Sequence, residues 1–249
     1  MQAAQAEAAH ARSPRRRPTH KRFRHWPAIA AVVIGILAAA LPELVAGGHL
    51  FAETIQFAAA AMVVPALAAL GTPWVPRFAR LSLPGAAAVG VVFIGVCLAW
   101  RVPSALDALA RHPVLRVPEL VTLLVAGLAL WLQLVGSPSS PVRLTRPQRA
   151  AVAAIPMWSV WVVAYVLGFA NHAVVSGYDV SGSLGTVTDQ EITVILTWVI
   201  SAACFIPVIA VTLLTWLRDS GGPGPGTAKE QRSAQQGTLV VRGWGRAPR

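Results

Sequence analysis

The sequence predicts an all-α, polytopic membrane protein: a bundle of six transmembrane helices with both termini in the cytoplasm. Three observations lead there. Charged residues make up only 12% of the 249 residues and mean hydropathy is +0.58, whereas soluble domains carry about 25% charged residues. Six stretches contain no Asp, Glu, Lys or Arg. The basic residues also alternate in density between successive connecting segments. Such a composition excludes an ordinary cytosolic enzyme. It equally excludes a disordered chain, which needs low hydrophobicity and high charge.

The six charge-free stretches are Trp26–Pro42 (apolar on to Val45), Thr54–Pro76, Leu81–Trp100, Leu120–Val142, Ala150–Tyr178 and Ile192–Leu217. A hydrocarbon core of about 30 Å needs roughly 20 apolar residues, with about 17 as the lower limit. Inside it every backbone polar group must be paired, so long continuous Ala/Leu-rich runs read as helices and not as alternating barrel strands. The second stretch holds the run Ala58–Ala61, and the third holds Gly85, Gly90 and Gly95. Small residues of this kind let membrane helices approach closely. Pro65, Pro156 and Pro207 lie inside stretches and are expected to kink their helices. Trp74, Trp100, Trp198 and Trp216 fall near the ends or in the outer thirds, as interfacial aromatics do. Cys97 and Cys204 sit in apolar runs, without the spacing of a disulfide framework or a thiolate cluster. They read as buried small residues.

Net charge is +11, and most of it reports topology. Eighteen of the 21 basic residues fall in the N-terminal arm, the loops after the second and fourth spans and the C-terminal tail. The opposite phase has only Arg101, Arg111 and Arg116. This split places both ends inside, so the excess charge does not call for nucleic acid. Arg15–Arg17 and their neighbours suit anionic lipid. A leader cleaved near Ala38-Ala39-Ala40 would leave five spans and put one basic end outside, so no cleavage is expected. The resulting organisation is a disordered basic arm (1–25), a six-helix domain (26–217) and a disordered Gly/Pro/Gln-rich cytoplasmic tail (218–249).

Chemistry gathers on the outer side. Seven of the ten acids, among them Glu53, Asp107, Glu119, Asp189 and Glu191, fall in outer loops or helix ends. Each outer loop region also carries one histidine: His49, His112 and His172. Imidazoles with added carboxylates suit a transition metal, so His49, His112, His172, Glu53 and Asp189 form a candidate metal set. The competing reading is three isolated surface histidines, with acids outside because bases are inside. Glu53 lies just inside the second helix, where an ionisable group marks a functional candidate. Its plainer role is as partner to Arg101 or Arg116. Asp189 and Glu191 open the last helix, with Thr188 or Asp189 expected as its N-cap. No nucleophile elbow, P-loop or zinc-protease motif is present, so no enzyme is expected.

The order of several short motifs resembles the CtaG-type cytochrome c oxidase assembly proteins of bacterial plasma membranes. Glu53-Thr54-Ile55-Gln56-Phe57, then Pro65, then Leu70-Gly71-Thr72-Pro73, resembles the family's His-x-x-Gln-His helix with its proline and Leu-Gly-x-Pro exit. Trp100-Arg101-Val102-Pro103 resembles a Trp-His-x-Pro element, followed by Ala105–Leu109 and His112-Pro113. Glu119-Leu120 with Gly127 and Trp131 resembles a Glu-His helix start. Asp189-Gln190 with Trp198 is similar to an Asp-Gln…Met-Trp signature, although Thr197 replaces its Met and Val194 the preceding Gly.

The resemblance spans about residues 49 to 217. It implies a multi-pass plasma-membrane factor that assists copper insertion or maturation of a bacterial cytochrome c oxidase. Copper is the implied cofactor; oxidase subunits and the lipid bilayer are the implied partners. Where the family carries histidines, this chain has Glu53, Phe57, Arg101 and Leu120. Two alternatives therefore stay open: a cation (copper) transporter-like protein, and a degenerate structural paralogue that binds no metal.

Overall fold

A computed structural model of the protein describes residues 26–44, 49–71, 81–135, 144–168 and 185–220. Every regular element among them is helical: α1 (Trp26–Leu44), α2 (Leu50–Gly71), α3 (Leu83–Arg101), the short α4 (Pro103–Arg111), α5 (Arg116–Leu134), α6 (Arg146–Gly168) and α7 (Thr186–Ser220). The six expected membrane segments thus correspond to six long helices. Five of them, α2, α3, α5 (with a preceding 3-10 turn from Pro113), α6 and α7, are long and apolar enough to cross a bilayer. In α1 the apolar stretch is shorter, Trp26–Ala40. The arm 1–25, the tail beyond Ser220, the loop residues Arg77, Arg80 and Arg143, Trp74 and His172 lie outside the described residues.

Helix ends differ from the charge-free windows in a consistent way. α2 begins at Leu50 and so includes Glu53; α3 ends on Arg101; α5 begins at Arg116 and includes Glu119; α7 begins at Thr186 and includes Asp189. Charges that bracket the apolar runs lie inside the helices, where Glu53, Arg101 and Asp189 pair with groups on neighbouring helices.

The second helix is central. Phe57, Ala58, Ala61 and Met62 are all buried, and α1, α5 and the N-terminal part of α7 pack around α2. The third helix leans on α5 and α6, while α6 runs along α7, whose remaining surface mostly faces outward. A π-helical turn, Ala59–Val63, interrupts α2 just before Pro65. Pro65 has no N–H to offer the carbonyl of Ala61, four residues earlier. The widened turn instead pairs the Val64 amide with the Ala59 carbonyl. Gly127 of α5 packs directly against this spot: a Cβ there would lie 2.2 Å from the Ala61 oxygen and 2.8 Å from Pro65. Gly71 plays the same part toward α1, where a Cβ would meet the Ala28 nitrogen at 2.6 Å. At Pro65, where a kink was expected, the structure has a π-turn seated on a glycine.

Candidate functional site

One end of the bundle brings together the start of α2, the end of α3, α4, the start of α5 and the start of α7. His49 occupies the N-cap position of α2, with extended backbone (φ −73°, ψ 135°), but its side chain makes no capping bond. Asp189 supplies the cap from another helix: its Oδ2 accepts the Leu50 amide at 2.7 Å and its Oδ1 the Phe51 amide at 3.1 Å. The carboxylate is 1% exposed, so its charge is met by two oriented N–H groups and the positive end of the α2 dipole. Asp189 thus caps α2, 139 residues away in the chain, while its own amide bonds the Gly185 carbonyl within α7. The expectation that it would cap its own helix is corrected accordingly.

One turn further along α2, Glu53 is 2% exposed, and its Oε1 accepts from Nε of Arg116 at 3.3 Å. Arg101, at the end of α3, donates through Nη2 to the Glu53 carbonyl (3.3 Å) and through Nη1 to Thr54 Oγ1 (3.4 Å). Its guanidinium lies 3.8 Å from the centroid of the Phe57 ring, a cation–π contact. Glu119, also 2% exposed, sits on α5 within the same charge cluster. Trp100 donates its indole N–H to Thr122 (2.9 Å), whose hydroxyl bonds back to Pro118 and Glu119 carbonyls. Glu53, Arg101 and Arg116 from three helices thus form one charged group over an aromatic floor, with Glu119 buried beside them and its Oε2 without a hydrogen-bond partner.

The described members of the expected metal set, His49, His112, Glu53 and Asp189, do not converge; His172 lies outside the described residues. Asp189 has both oxygens engaged by amides, and Glu53 has one engaged by Arg116. His49 is half-buried, its ring 5.2 Å from that of Phe51. Its Nδ1 has no hydrogen-bond partner, and neither does Oε2 of Glu53, four residues on. His112 is exposed at the C-terminus of α4, a helix held to α2 through Leu50, Leu106 and Leu109. Among the described residues no group of three or more His, Cys, Asp or Glu side chains is placed to hold a metal ion.

Sequence reasoning put Glu53 beside the arginines, and the contact with Arg116 agrees. It missed Phe57 as the platform for Arg101 and Thr54 as its acceptor. The available signal was Arg101 itself, a cation at the end of an apolar run that needs partners at membrane depth. Three of the four positions where the resemblance expects histidine (Glu53, Phe57 and Arg101) meet at this cluster.

Fold and cluster together define a polytopic helical membrane protein with an ionic group buried at one end of its bundle. The family described as cytochrome c oxidase caa3 assembly factor (Caa3_CtaG) matches residues 7–219. The chain belongs to that family. Neither the curated proteins nor the solved structures contain a match.

Proposed function

We propose that this protein assists the maturation of a cytochrome c oxidase in a bacterial plasma membrane, by binding oxidase subunits and without catalytic turnover. The supporting observation is the buried Glu53–Arg101–Arg116–Glu119 cluster in a chain of the oxidase assembly family. Ionisable groups at membrane depth are costly and are kept where they serve function. Here Arg101 stacks on Phe57 close to Glu53, so a protein-borne cation fills the centre of the cluster. That favours a role as a binding scaffold over storage of a copper ion.

A second reading, direct handling of copper as cargo, draws on the free Nδ1 of His49 and Oε2 of Glu53. These lie on successive turns of one helix face. Imidazole and carboxylate oxygen are a reasonable partial donor pair for a copper ion, with His112 and His172 as the further expected ligands. The neighbouring guanidinium opposes it by charge repulsion.

Deletion of the gene tests the proposal. The expected result is loss of oxidase activity in membranes, restored by the wild-type chain. Unchanged oxidase activity overturns it. Restoration by His49→Ala, His112→Ala and His172→Ala supports the scaffold. Failure of those variants, with oxidase lacking copper, selects the copper reading.

A further inference from the structure

We propose that a second surface, in the membrane, receives one transmembrane helix of an oxidase subunit. A cavity of about 160 Å³ lies between α1, the π-turn of α2 and α5. Gly35 and Ala39 of α1, Ala60 and Gln56 of α2, and Val121 and Leu124 of α5 line it. Its rim is open to the surroundings, because Val121 and Leu124 are exposed.

Two independent features meet in this cavity. The first is Gln56, which is 3% exposed. Its amide nitrogen donates to the Ala39 carbonyl at 3.5 Å, while its Oε1 is buried and accepts no hydrogen bond. Hydrocarbon offers no water to satisfy that oxygen, so it calls for a donor from elsewhere. The second is Gly35. A Cβ there would stand 3.6 Å from Val64, an ordinary contact. The bundle itself does not need a glycine at this position, in contrast to Gly71 and Gly127. Glycine is also a poor helix former. Ala39, one turn on, is exposed, as are Ile36 and Leu37. Gly35 and Ala39 therefore make a small-xxx-small pair, the pattern that lets a second helix backbone approach closely.

An occupant must satisfy both features. A lipid tail fits the cavity but has no donor. A single water supplies a donor but makes no use of the backbone approach at Gly35. A transmembrane helix with a Ser, Thr, Tyr or Trp side chain satisfies both, crossing α1 at Gly35 and Ala39 and donating to Gln56 Oε1. The choice of an oxidase subunit as owner of that helix rests on the assembly reading above.

The test is photo-crosslinking in cells that make the oxidase, with benzoylphenylalanine in place of Val121 of the full chain and adducts identified by mass spectrometry. The expected adduct is with a transmembrane segment of an oxidase subunit. Its yield should fall about fivefold in Gln56→Leu, the scale of one interhelical hydrogen bond. It should be largely lost in Ala39→Leu, which blocks the groove from its exposed side without entering the bundle. Gly35→Ala should keep the helical content of the wild type, as its Cβ fits. Adducts confined to lipid, adducts only with a second copy of the chain, or a yield unchanged in Gln56→Leu and Ala39→Leu overturn the proposal. A normal oxidase in the deletion strain would count against the assembly reading. A deletion defect combined with unaffected crosslinking in both variants would count against this surface alone.

Discussion

The charged end and the waist of the bundle are held together by opposite means. At the charged end, polar side chains reach across between helices: Asp189 to the α2 amides, Arg116 to Glu53, Arg101 to Thr54 and Phe57. At the waist, contact depends on what is missing: no side chain at Gly127 and no N–H on Pro65; Gly71, at the far end of α2, leaves the same kind of room for α1. Residue type alone therefore does not identify a ligand. Carboxylates that look available in the sequence are used by the fold, and glycines that look incidental are required by it.

The waist should be the less forgiving region. Gly127→Ala places a methyl against a backbone oxygen that cannot move aside alone. Overpacking typically costs about 1–3 kcal/mol, and this case should reach or pass the upper end. Thermal unfolding in detergent would show a large drop in Tm, and a near-normal Tm would remove the distinction between the regions. At the charged end, Glu53→Ala removes the carboxylate that accepts from Arg116, while the bond from Arg101 to the backbone carbonyl of residue 53 stays. Breaking a buried pair costs about 3–5 kcal/mol; because Arg116 keeps 22% exposure, the lower end is expected. A double-mutant cycle with Arg116→Ala should recover part of the loss, and strict additivity would show that the pair is not coupled.

Smaller effects sharpen the contrast. Asp189→Ala should cost about 2 kcal/mol, the upper range for an N-cap, while Asp189→Asn keeps one acceptor and should cost about half that. Hydrogen exchange at Leu50 and Phe51 should rise in both. Ser201 is fully buried and its hydroxyl accepts the Trp161 indole N–H at 2.7 Å. Ser201→Ala should cost about 1 kcal/mol and shift the near-UV spectrum of the tryptophans. Gly35→Ala should change stability least, and in the opposite direction, with a gain of up to about 1 kcal/mol. If it destabilises as Gly127→Ala does, Gly35 belongs to the waist and not to a docking surface.

Much of the architecture was legible in the amino-acid order. Six charge-free runs correspond to six long helices, because hydrocarbon tolerates few unpaired charges. Helix ends were not legible, since Glu53, Arg101 and Asp189 are accommodated inside helices by partners distant in sequence. Pro65 announced a disturbance, but neither its form as a π-turn nor the packing of Gly127, more than 60 residues away, against it has a local sign. The capping role of Asp189 had no local pattern at all, because the helix it caps begins 139 residues earlier. Of the candidate site, Glu53 and its arginine partner were readable from depth and charge. The cation–π floor of Phe57 was not, since an aromatic in an apolar helix carries no sign of what it faces.

Asp189, Arg101, Arg116 and one oxygen of Glu53 are engaged in joining helices, and among the described residues no cage of metal ligands forms. Anaerobic titration of the purified full chain with Cu(I), in competition with a chelator, tests this arrangement most directly. The expected result is no stoichiometric high-affinity binding, and equal curves for the wild type and His49→Ala. One equivalent of tightly held Cu(I), lost in His49→Ala, would contradict it.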